Sequence, residues 1–211
     1  MRIRTSTMVF TAVAAGAAVV SFAVPAQAAA LSWTVVNPRA DGAFTATSGP
    51  LTVRNAAGKV LVTCAGLTAS GTATSRVNST GSVGRITHSR GTSCVNGQGR
   101  AWAVVIPSTF LAPLNGTAYN AATGRSELTV GGPQYLMSPA DSTPGCVIAT
   151  QNTRMSYTNA TGLLRTTTAQ AVVGTTNDGV SSCPDVAQGE TITFDTAFTL
   201  TPRLTITAKA A

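Results

Sequence analysis

Residues 190–200 alternate apolar and polar side chains with a period of two. Ile192, Phe194, Phe198 and Leu200 fall on one face; Thr191, Thr193, Asp195 and Thr199 fall on the other. Successive side chains of a strand point to opposite faces, so this pattern describes a β-strand with one face buried. No stretch beyond the first thirty residues repeats apolar positions at helical spacing for three turns. The chain is therefore expected to be all-β. Its composition agrees, because Thr and Val favour strands while 20 Gly and 10 Pro punctuate them. An apolar content of 44% is too high for disorder.

The same reading predicts strands over Leu31–Val36 and over residues 43–47, 59–63, 101–106 and 204–207. Residues 101–106 are apolar on both faces and are expected to be central in a sheet. Asn55-Ala56-Ala57-Gly58 and Asn159-Ala160-Thr161-Gly162 read as hairpin turns in which glycine supplies a positive φ. Many short strands with frequent turns imply a β-sandwich or an open barrel.

The first residues carry a different signal. Arg2 and Arg4 precede an apolar run from Met8 to Val24, then Pro25 and Ala26-Gln27-Ala28. A basic start, an apolar middle and a small-x-small end describe a secretory signal peptide cleaved after Ala28. Residues 1–28 are thus expected to be removed and the remainder secreted. Export implies an oxidising compartment, where Cys64, Cys94, Cys146 and Cys183 would form two disulfides. With no C-x-x-C pair and only His88 as an imidazole, neither a metal nor another cofactor is expected.

Four cysteines allow three pairings, and an internal duplication favours one of them. Leu51-Thr52-Val53 recurs as Leu128-Thr129-Val130. Cys64 and Cys146 are each followed by an Asn-x-Thr-Gly turn, at Asn78 and Asn159. Ser93-Cys94 matches Ser182-Cys183, and residues 99–104 match 189–194. The order is kept, with small insertions of the kind surface loops accept. Two tandem β units follow, 29–125 and 126–211, each with an early and a late cysteine; whether they are separate domains or one merged sheet system is left open. Pairing within each unit gives Cys64–Cys94 and Cys146–Cys183.

Catalytic groups are sparse. A Ser-His-Asp triad would need His88, which lies in the polar, Gly-flanked stretch Thr87-His88-Ser89-Arg90-Gly91 and reads as an exposed turn. A glycosidase needs two facing carboxylates. The candidates are Asp178 and Asp185, both in turns, and Glu190 at a surface strand start. Asn78, Asn115 and Asn159 match a glycosylation pattern but read as turns. No phosphate loop, dinucleotide fingerprint or calcium loop appears.

Charge is more informative. Without Arg2 and Arg4 there are twelve basic and seven acidic residues, a net +5. Residues 29–100 hold seven of the basic residues against Asp41 alone. Arg76, Arg85, His88, Arg90 and Arg100 form a candidate patch for an anionic polymer or glycan of the cell surface. Nucleic acid is not expected, since no interleaved stacking aromatics accompany these residues and Trp102 and Phe110 read as core. Trp33 and Tyr157 also read as core, while Tyr119 and Tyr135 lie in loop-like sequence where they could meet a sugar.

Trp33, Cys64, the stretch from Met155 to Leu164, Cys183 and the closing Phe198-Thr199-Leu200-Thr201-Pro202 together resemble the small secreted β proteins of unknown function found in actinobacteria. That resemblance implies export and a β fold, and it brings no activity and no functional residue. The function expected is a secreted, non-catalytic binding or interaction module. The alternatives are a self-associating structural protein, whose Thr-rich strands leave edges open to pairing, and a carboxylate hydrolase.

Overall fold

In the computed structural model the described residues are 31–109, 112–132, 134–140, 146–174 and 183–211, and their regular structure is entirely strand. The strands are β1 (Leu31–Val36), β2 (Ala43–Ser48), β3 (Leu51–Arg54), β4 (Val60–Cys64), β5 (Gly66–Thr72), β6 (Arg76–Asn78), β7 (Ser82–Thr92) and β8 (Val95–Asn96). They continue as β9 (Trp102–Ile106), β10 (Ala112–Asn120), β11 (Arg125–Val130), β12 (Leu136–Pro139), β13 (Val147–Thr158), β14 (Leu163–Gly174), β15 (Thr191–Thr201) and β16 (Thr205–Ala210). The signal-peptide reading and its cleavage site lie outside the described residues, as do Phe110 and Asp178.

All named pairings are antiparallel, and the large sheet closes on itself. From β13 they run through β14, β15, β2, β5, β7, β10 and β11 and return to β13. A second circuit uses the other halves of the same long strands. It runs from β13 through β14, β15, β3, β4 and β8, crosses to β9 by the Val95–Ala101 bridge, and returns through β12. The all-β expectation holds, and the sheet is a barrel. Residues 29–125 and 126–211 contribute neighbouring strands to both circuits.

The alternation that predicts β15 also fills the barrel. Ile192, Phe194, Phe198 and Leu200 are buried, and Thr191, Thr193, Asp195 and Thr199 are exposed. Burying side chains of this size contributes roughly 1.5–3 kcal/mol each. One apolar cluster extends from Leu51 and Val53 in the second circuit to Tyr157 and Leu164 in the first. Where the circuits meet, β13 shifts register between Gln151 and Arg154, with Asn152 at φ 51°, and β14 shifts between Thr166 and Thr168. Such bulges bend a strand and re-aim its side chains.

A small sheet of β16, β1 and β6 covers the first circuit. Trp33 and Val35 of β1 and Ile206 of β16 are its buried residues. Gly116 is glycine because a Cβ there would overlap the Trp33 ring. Both hairpin turns form as expected, with Gly58 at φ 79° and Gly162 at φ 68°. β9 lies between β7 and β12 as expected for a central strand, but Ala103 and Val105 are only half-buried, so one of its faces is partly open. Asn115 lies in β10 rather than in a turn.

The disulfides are Cys64–Cys94 and Cys146–Cys183, and no cysteine is free. That pairing fits an oxidising, extracellular environment. Among the described residues no helix is long and apolar enough to cross a membrane.

Candidate functional site

β7 is the strand that gathers the predicted cations. Val83, Ile86 and Ser89 point into the barrel, which turns Arg85, His88 and Arg90 outward, where all three are exposed. His88 is therefore a strand residue, contrary to the expected turn. Register brings Thr72 of β5 and Pro113 of β10 beside Arg85, Ser70 beside His88, and Thr68 and Val105 beside Arg90. Among the described residues no carboxylate stands in register with these three. The side chains of His88 and Arg90 make no hydrogen bond or ion pair to the described residues, whereas Arg85 donates from Nε to Thr72 Oγ1 at 3.1 Å.

Arg76 joins this face from β6. Its Nη2 donates to the Ser82 carbonyl at 3.0 Å and to Ser82 Oγ at 2.8 Å. Arg76 and Arg85 line an open groove of about 530 Å³ with Thr72, Thr74 and Ser82. Four of the five predicted patch residues thus share one region.

Arg100 does not join them. It lies in the β8–β9 loop and lines a second cavity, of about 190 Å³, at the mouth of the second circuit, with Gln98, Trp102, Asp185 and the Cys146–Cys183 disulfide. The Cys64–Cys94 bridge ties the end of β4 to the link after β7 and leaves Arg100 beyond it. Trp102 is half-buried, packed against the core cluster and lining this cavity. The volume is below the usual range for small-molecule pockets.

Of the carboxylates considered for hydrolysis, Asp185 and Glu190 make contacts that tie loops. Asp185 pairs with Lys59 Nζ at 2.6 Å. Glu190 accepts the Ala56 amide at 2.9 Å on Oε1 and the Ala187 amide at 2.8 Å on Oε2. Glu190 is thus a tie between two loops, which its place at a strand start did not suggest. The bidentate pair of Arg39 with Asp41 holds the Asp41 carboxyl well below the usual carboxylate range, helped by the Ala43 amide. No group of three or more His, Cys, Asp or Glu among the described residues could hold a metal ion.

The aromatics divide differently from expectation. Trp33 and Tyr157 are buried as expected. Tyr135 is also buried, stacked at a tilt on Phe194 with ring centroids 5.5 Å apart, and Tyr119 is a half-buried residue of β10. Neither belongs to an exposed loop platform. No protein-family model matches this chain, and no curated protein or solved structure matches it either.

Proposed function

We propose that the chain is exported, loses residues 1–28 and works outside the cell as a non-catalytic module that holds an anionic surface polymer on the outer face of β7. The observation that carries this reading is the file of Arg85, His88 and Arg90, exposed and without a carboxylate in register. The two arginine charges of this file, with no carboxylate in register, create a local positive potential that attracts polyanions and is screened by salt. The closed barrel beneath supplies a rigid support, so little ordering cost accompanies binding.

The test compares two double variants with equal loss of charge. R85Q/R90Q removes the file; R154Q/R165Q removes two other exposed arginines. On an immobilised polyanion the first is expected to lose at least tenfold in affinity and the second less than threefold. Equal losses would reduce the effect to net charge and defeat the assignment to β7.

A further inference from the structure

We infer that the polymer held on this face is an acidic polysaccharide, a chain bearing hydroxyls and anionic groups together; the inference rests on the reading of β7 given above. The strands beside β7 supply the reason. Thr199 of β15, Thr47 of β2 and Thr68 of β5 are aligned in register with Arg90. A parallel row runs Thr201, Thr45, Ser70 and His88. Adjacent strands lie roughly 4.8 Å apart and alternate residues roughly 7 Å apart, so the face is a grid of hydroxyls bordered by cations.

In the second row Thr45 Oγ1 donates to the Thr201 carbonyl at 3.3 Å and Ser70 Oγ lies 3.4 Å from Thr87 Oγ1, so the available hydroxyls are those of the first row. Thr47, Thr68 and Thr199 are exposed, and their hydroxyls make no hydrogen bond to the described residues. Buried Ala46, Leu67, Phe198 and Leu200 beneath them fix their positions. A shallow groove of about 470 Å³ crosses the same face and includes Thr45, Ser70 and Thr201. A hydroxyl both donates and accepts, as a sugar hydroxyl does, so each threonine can pair with a sugar in either sense. Phe44 lies at the floor of this groove but is only 3% exposed, and Phe198 is buried, so these strands offer no open ring for a base to stack on. A hydroxyl-poor polyanion would use the cations alone, and a neutral glycan the threonines alone. Only a ligand with both groups uses the whole face.

The experiment measures binding of the mature protein to polygalacturonate, inorganic polyphosphate and dextran. The variants are T47V/T68V/T199V and R85Q/R90Q. Valine keeps the branched shape that strands favour, and near-UV circular dichroism checks the fold. Polygalacturonate is expected to bind tightest. The valine variant should weaken it about tenfold, as loss of several net hydrogen bonds implies, while polyphosphate binding changes less than twofold. R85Q/R90Q should weaken both. Polyphosphate binding as tightly as polygalacturonate, dextran matching it, or a valine variant with unchanged affinity would overturn the polysaccharide assignment and leave the anionic-polymer reading standing. No binding of either polyanion by the folded protein would overturn both.

Discussion

Tyr157 and Asn159 take the place of a missing strand. β16 has β1 on one side only, and an unpaired strand edge is costly to bury and hazardous to expose. The Tyr157 hydroxyl donates to the Leu204 carbonyl at 2.8 Å and accepts the Leu204 amide at 3.0 Å. Asn159 does the same for Ile206 with its side-chain amide, at 2.8 Å and 2.9 Å. Tyr157 reads as core from the sequence, and so it is, but its polar task is invisible there because the partners lie 47 residues away. Tyr135 carries a pH dependence. Burial pushes its hydroxyl up to about 12, with the Thr166 hydroxyl opposing. In the unfolded chain a tyrosine ionises near its ordinary value of about 10. Above that pH the unfolded state binds fewer protons than the folded one, so stability is full below about pH 10, falls as pH rises and loses about 2 kcal/mol from this group by pH 12. Denaturant midpoints at pH 8 and at about pH 11.5 should therefore differ more for the native protein than for Y135F; equal differences would contradict the assignment.

At the scale of the element, β15 is legible and β7 is not, for a physical reason. β15 keeps a strict period of two between a filled core and solvent. In β7 the register slips against β10 between Gly84 and Ser82 and against β5 between Ile86 and His88. Its buried residues, Val83, Ile86 and Ser89, therefore fall three apart, and the last is polar. Period-two reading fails there, and Thr87–Gly91 looks like a turn. The charged residues of the site were visible by composition, but the hydroxyl rows were not, because register across four strands is a tertiary property. β1 carries a prediction about export. It begins at Leu31, three positions after the expected cleavage point at Ala28, and is held between β16 and β6. Intact-mass measurement of protein released to the medium should give residues 29–211 less four hydrogens. A mass retaining residues 1–28 would refute processing.

At the scale of the molecule, two circuits share β13, β14 and β15, so neither can open without disturbing strands of the other. Both disulfides lie toward the second circuit, closing sequence separations of 30 and 37 residues. In the chain-entropy model each contributes about 4 kcal/mol. Replacing either pair with serine should lower the midpoint of one shared calorimetric transition by roughly 10 °C. Two separated transitions would show that the circuits fold independently. Alternation and turns led to an all-β chain and left a sandwich or an open barrel as alternatives, whereas the closure and the sharing of long strands between circuits are set by register and by bulges such as that at Asn152, which carry little sequence signal.

The most direct test of the account is an amide-exchange footprint of the mature protein with and without polygalacturonate. Binding on the grid predicts slowed exchange in β5 and β7, around Thr68, Ser70, His88 and Arg90, with the Trp102 cavity unchanged. Protection confined to the loops around Trp102 and Asp185, with β7 unaltered, would move the site to the mouth of the second circuit and contradict the account.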